Sequence, residues 1–247
     1  MIKQPLTCYF VISGKYHDID FARLEVLKLL AEHDQIRTTV APDYSDIDAI
    51  CAADFLITFT CDVMPTDAQT QKLNEYVTGG GKWIALHGTN SILEFTEEGL
   101  VDSPETAPEF MELVGTQFKA HPPIGPFQVE VVDDQNPLSE GMTDFEVIDE
   151  LYLSKTFSDI HILMQTRFTG EATGFVDLNW EDEIVPIAYL RDVGDGQIFY
   201  CTLGHCRGHY DVQVMTPFYP HTERCAWNYP IFYEVLRRSI KWAMGTL

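Results

Sequence analysis

The chain has 247 residues, 45% hydrophobic and 12% aromatic, which suffices for a substantial core and excludes disordered, collagen-like and coiled-coil classes. Its 16 Lys and Arg against 38 Asp and Glu give a net charge of −22, which repels phosphate backbones and anionic membrane surfaces at long range, so no nucleic acid and no membrane is expected as a partner. No apolar run approaches the ~18–20 residues of a membrane span. Met1–Pro5 lacks the features of a secretion signal, and six scattered cysteines form no CxxC pair, so the expectation is a cytoplasmic protein with reduced thiols.

The first ninety residues alternate strand and helix signals. Leu6–Ser13 is a buried strand. Phe21–His33 carries Phe21, Leu24, Leu27 and Leu30 at helical spacing, with Asp20 as the expected N-cap. Ile36–Ala41 and Ala53–Phe59 are further strands. Thr66–Thr78 is a helix closed by Gly79-Gly80-Gly81, and Lys82–His87 is the fourth strand. Near-continuous apolar strands separated by helices predict an α/β fold with a parallel sheet covered on both faces and right-handed crossovers. A single domain over 1–247 is expected, with an irregular elaboration at about 91–183. That elaboration holds a helix at Pro108–Val114, a loop at His121–Pro126, and strands at Phe127–Val132, Phe145–Leu153 and His161–Thr166. Val185–Arg191 and Gln197–Leu203 flank Gly194-Asp195-Gly196 as a hairpin. Tyr229–Met244 is a closing helix with Pro230 in its first turn. Between them lies an insertion at about 206–228, rich in aromatic, His and Pro residues.

In an open parallel sheet, ligands sit outside the carboxyl ends of the strands. The first strand leads into Tyr16 and His17, the fourth into His87-Gly88-Thr89-Asn90, and the last long strand into Gly204-His205-Cys206. Parallel strands would bring His17, His87 and His205 to one edge. Gly88 would permit a tight strand-to-helix turn that presents His87. No Cys follows the fourth strand, which disfavours a glutamine amidotransferase with a thiol nucleophile. His205 and His209 would share a face if that stretch were helical.

The motifs GGGKWIALHGTN, GTQFKAHP, FEVIDELY, GDGQIFYCTLGH and IKWAMG, in this order, resemble the ThuA-like family of trehalose-utilisation proteins. The resemblance spans the chain from the first strand to the last helix. It implies a three-layer, flavodoxin-like fold of the class I glutamine amidotransferase type and a role in carbohydrate metabolism. It also marks His87, His121, Glu150, Tyr152 and His205, with His17 where some members carry a histidine. Two departures stand out: Asn136-Pro137 replaces a common His-Pro, and the insertion after Gly204-His205 is long, reshaping one wall of the expected pocket.

The expected function is an enzyme of carbohydrate catabolism acting on a sugar, disaccharide or keto-sugar derivative, of isomerase, lyase or hydrolase type. His87, Glu150, His121 and His205 are the catalytic candidates. His17, Tyr16, Tyr152, Asn90 and His209 are the substrate-binding ones. Imidazole and carboxylate side chains serve two chemistries here. They can move protons, or His87, His121 and His205 can hold a divalent metal such as zinc. Aromatic residues including Tyr16, Phe118, Tyr210, Phe218, Tyr219 and Trp227 could stack on sugar rings or simply pack the insertion. The alternative is a non-catalytic sugar-binding or regulatory protein on an amidotransferase-like scaffold. The insertion could also cover the pocket of a second copy in a homo-oligomer.

Overall fold

A computed structural model of the chain describes residues 4–209, 216–217 and 220–247. The elements run β1 (Leu6–Gly14), α1 (Ile19–Leu30), β2 (Ile36–Ala41), α2 (Ile47–Cys51), β3 (Phe55–Cys61), α3 (Asp67–Thr78) and β4 (Lys82–Leu86). After a short 3₁₀ turn at His87–Asn90 come β5 (Glu94–Phe95), β6 (Val101–Asp102), α4 (Pro108–Val114), β7 (Thr116–Ala120) and β8 (Gly125–Val131). The chain continues through β9 (Phe145–Asp149), β10 (Leu153–Thr156), β11 (His161–Glu171), β12 (Asn179–Val193), β13 (Gly196–Cys201) and α5 (Pro230–Ala243).

Nine strands form one mixed sheet in the order β2-β1-β3-β4-β13-β12-β11-β8-β9. The block β2-β1-β3-β4-β13 is parallel, as expected. From β12 to β9 every pairing is antiparallel, so the sheet is mixed and not the parallel sheet expected. Much of the 91–183 segment is therefore an extension of the same sheet, through β8, β9, β11 and the start of β12.

Strand periodicity divides the interior into two cores. Cys8, Phe10 and Ile12 of β1 pack with Val26 and Leu29 of α1 and with Phe232, Val235 and Leu236 of α5. Tyr9 and Val11 point the other way, towards Ile50 of α2, Leu73 and Val77 of α3, and Phe110 of α4. Burial on both faces explains why these strands read as unbroken apolar runs.

Local signals set the helix boundaries. Thr66 and Gln69 form a reciprocal capping box that starts α3. Helix α1 begins at Ile19, earlier than expected: Asp18, not Asp20, is its N-cap, accepting the Phe21 N–H. Asp20 is instead exposed and paired with Arg23. Phe145–Leu153, expected as one strand, is two. β9 ends at Asp149, and β10 pairs with β7 in a separate two-stranded sheet. Residues 150–152 bridge the two and carry Glu150 and Tyr152.

Candidate functional site

The parallel strands end together at one edge of the sheet. β1 delivers His17, β3 delivers Asp62, β4 delivers His87, and β13 delivers His205. Three residues of these loops hold positive φ without being glycine: Tyr16 at 66°, Asp62 at 59° and His87 at 46°. Such conformations are costly and gather where function requires them. The turn after β4 differs from expectation in detail. His87 itself takes the left-handed conformation, and Gly88 does not. Gly88 is required because a Cβ there would stand 2.6 Å from the Thr60 carbonyl oxygen.

His87 is fully buried and held from several directions. Its Nδ1 lies 2.7 Å from the Thr202 carbonyl, and Tyr200 donates its hydroxyl to the His87 carbonyl at 2.7 Å. A carbonyl only accepts, so Nδ1 carries the hydrogen and Nε2 presents a lone pair. That Nε2 stands 2.9 Å from His17 Nε2 and 3.1 Å from the Tyr152 hydroxyl, which donates to it. His17 Nδ1 is likewise 2.9 Å from the Lys15 carbonyl. Phe59 stacks on the His87 ring, with centroids 5.9 Å apart.

Glu150 is the charge around which these rings gather. One oxygen, Oε2, is 3.1 Å from His205 Nδ1 and 3.7 Å from His87 Nε2. The other, Oε1, is 3.6 Å from His121 Nε2 and 3.4 Å from Arg207. His205 Nε2 in turn lies 2.9 Å from Glu223 Oε2. The Nδ1 contact of His205 is at ion-pair distance, yet its direction misses the carboxylate oxygen, so Nδ1 has no aligned hydrogen bond.

Burial and mutual charge separate the ionisation states. Burial drives His87 down to about 3, against the pull of Glu150. Burial, then the neighbouring His87 and His205, holds His17 well below the usual imidazole range. His205 goes the other way: burial opposes its charge, but Glu150 and Glu223 outweigh burial and raise it to about 9. Burial would raise Glu150, but the facing imidazoles of His121 and His205 overcome it and keep the carboxyl well below the carboxylate range. Burial raises the Tyr152 hydroxyl well above 10, which keeps it a neutral donor.

Of the residues singled out in the sequence, His17, His87, Glu150, Tyr152 and His205 come together here. His121 joins at the margin through Glu150, with Phe175 against its ring at 4.8 Å. Within metal-ligand reach of one another are His17, His87, Glu150 and His205, a set that includes two of the three expected metal ligands and not His121. Tyr16 lies beside His17, its carbonyl accepting from Arg207 and its ring against Phe95. Asn90 is fully buried and turned to Thr116 and Tyr200. His209 is exposed, and its carbonyl accepts the Thr216 hydroxyl. Tyr210, Phe218 and Tyr219 lie outside the described residues.

Sequence reasoning missed three contributors. Asp149 accepts N–H bonds from Gly204 at 2.9 Å, His205 at 3.1 Å and Glu150 at 2.7 Å, tying the two loops together. Arg207 and Glu223 bridge each other through paired backbone hydrogen bonds and close the cluster on one side. No local spacing marks them. The six cysteines are unpaired, and burial raises the thiols of Cys61 and Cys206, which therefore stay protonated. Among the described residues no helix is long and apolar enough to cross a membrane.

Comparison with solved structures places the fold. A ThuA-like protein from Bacteroides uniformis is similar with a TM-score of 0.68 and 16% identity, over 98% of this chain and 93% of that one. A second, from Parabacteroides merdae, gives 0.65 and 15%, over 98% and 91%. A GMP synthase component from Thermoplasma acidophilum gives 0.51 and 11%, over 98% of both. A search of curated protein sequences finds no match. The family model described as trehalose utilisation matches residues 10–219, most of the length, and the chain belongs to that ThuA family.

Proposed function

We propose that this chain is an enzyme of carbohydrate catabolism acting on a sugar, disaccharide or keto-sugar derivative through His/Glu chemistry at this cluster. The scaffold is read as a three-layer, flavodoxin-like fold of the class I glutamine amidotransferase type, a reading supported by the likeness to the GMP synthase component. One observation carries the functional proposal. His17, His87, His205, Glu150 and Tyr152 arrive from separate loops within hydrogen-bond or ion-pair distance of one another, at the strand edge where α/β folds bind ligands. A buried polar cluster of this kind is costly to assemble, and a hydrophobic core could fill the same space.

The parts suit a polyhydroxylated substrate. Glu150 supplies a fixed negative charge, Tyr152 a neutral hydroxyl donor, and the imidazoles a set of proton carriers with defined tautomers. His121 and Arg207 stand on the more open side of Glu150 and could meet sugar hydroxyls. Where the thiol nucleophile of an amidotransferase would stand, this chain has His87 after β4.

The full burial of His87 favours a second reading, a non-catalytic sugar-binding or regulatory protein. Turnover separates the two. Disaccharides and their keto forms, incubated with wild type, His87→Gln and Glu150→Gln, should show turnover in wild type and a loss of roughly 100-fold or more in each variant. Circular dichroism should show both variants folded. Saturable sugar binding with no turnover in wild type would overturn the enzyme reading in favour of the binding one.

A further inference from the structure

Three imidazoles of the cluster share one arrangement. Each donates from one ring nitrogen to an oxygen outside the cluster and turns the other nitrogen inward. His17 Nδ1 meets the Lys15 carbonyl at 2.9 Å, His87 Nδ1 meets the Thr202 carbonyl at 2.7 Å, and His205 Nε2 meets Glu223 at 2.9 Å. Histidines bound to metals are oriented in this way, by a carbonyl or carboxylate behind the ring.

The inward atoms are short of positive charge. His17 Nε2 and His87 Nε2 stand 2.9 Å apart, and each presents a lone pair because its other nitrogen holds the hydrogen. Two facing lone pairs at that distance repel unless a cation lies between or beside them. Tyr152 donates to His87 alone. His205 Nδ1 is fully buried and lacks an aligned hydrogen bond, and Glu150 Oε2 lies 3.1 Å from it. A single proton satisfies one pair of these atoms. A dication satisfies all four.

We propose that His17 Nε2, His87 Nε2, His205 Nδ1 and Glu150 Oε2 bind one divalent first-row transition ion of the zinc class. Three nitrogens and one carboxylate oxygen are an ordinary donor set for such an ion. One donor atom from each residue lies within 4.8 Å of the others, all four residues buried. Zinc–nitrogen bonds of about 2.0–2.1 Å in a tetrahedron put ligand atoms about 3.3 Å apart, so the closest pair opens by a few tenths of an ångström and the widest closes around the ion. Loading replaces any proton on His205 Nδ1, which leaves to water. A sugar oxygen would enter as a fifth ligand, the ion expanding from four- to five-coordinate, and would be polarised there. His121 and Tyr152 then remain beside it for proton transfer.

This site lies within the one assigned above to sugar chemistry, and its test needs no sugar, so either reading can fail alone. The full-length protein is stripped with a chelator, titrated with Zn²⁺, freed of loose metal by gel filtration, and analysed for bound zinc. Co²⁺ serves as the spectroscopic probe. The expected result is one equivalent per chain, with the visible bands of nitrogen-ligated cobalt. His17→Ala should lose that equivalent, and Glu223→Ala should weaken binding roughly 10–100-fold, the usual effect of losing a partner behind a ligand. His161→Ala, on an exposed histidine, should leave it unchanged. Wild type that retains no metal or shows no nitrogen-ligated cobalt spectrum would overturn the proposal, even if His17→Ala fails to fold. Equal retention by wild type and His17→Ala would overturn it too, by assigning the metal to acidic surface groups.

Discussion

Asp149 shows how much of the cluster depends on a carboxylate bonded to backbone groups. It is fully buried, and burial raises its carboxyl to about 7 against the charge of His205 and the amides that bond to it. Its two oxygens accept three backbone N–H groups, from Glu150, Gly204 and His205. Asp149→Asn puts an amide NH₂ where an acceptor stood, so at least one buried N–H loses its partner. The expected cost is about 1–3 kcal/mol, read as a lower urea midpoint at unchanged slope. An unchanged midpoint would mean that these bonds do not hold the loops. The sequence singled out Glu150 beside it and was silent on Asp149. The reason is physical: its partners are backbone groups 55 and 56 positions away, and backbone amides leave no mark in residue identity. Arg207 and Glu223 were hidden for the same kind of reason, whereas His17, His87 and His205 were legible because each closely follows an unmistakable strand.

At the scale of elements, the turn after β4 is tightly constrained. Gly88 approaches both the Thr60 carbonyl and the Cys61 side chain. Gly88→Ala forces β3 and the His87 turn apart, and overpacking of this kind costs about 1–3 kcal/mol. A melting curve of that variant should show the loss, and a wild-type melting temperature would contradict the close approach. The sequence showed that a small residue belonged here. It assigned the reason to backbone conformation at Gly88, where the actual reason is space. The helix pair α1 and α5 offers a second test. Arg237 makes a two-pronged contact with Glu32, at 2.8 Å and 3.0 Å. The hydrogen bond to Arg237 leads the causes that lower the Glu32 carboxyl in the folded chain, and burial opposes it. Its contribution to stability is therefore present above the unfolded-state value and lost as pH falls through the lower folded one. Both side chains are about two-fifths exposed, so the effect is small. Glu32→Gln should flatten the acid limb of the stability-versus-pH curve slightly, and an unchanged limb would show that the pair contributes nothing.

At the scale of the whole molecule, half of the sheet could be read from the sequence and half could not. The inner parallel strands β1, β3, β4 and β13 announce themselves, since a strand buried on both faces must be apolar throughout. The antiparallel extension does so only at the hairpin of β12 with β13. Pairing of β8 with β9 and with β11 joins segments whose local pattern fixes strand but not partner. Nor does local pattern show that the chain leaves the sheet at Asp149, which is what frees Glu150 and Tyr152 to reach the imidazoles. The architecture thus sets three histidine loops at the ends of parallel strands against one acidic loop that follows β9, the outermost antiparallel strand. A crystal of the zinc-loaded protein, measured on both sides of the zinc absorption edge, probes this arrangement directly. One anomalous peak per chain is expected, within about 2.0–2.1 Å of His17 Nε2, His87 Nε2 and His205 Nδ1. No peak in that position, with the imidazoles turned away from one another, would refute the shared site.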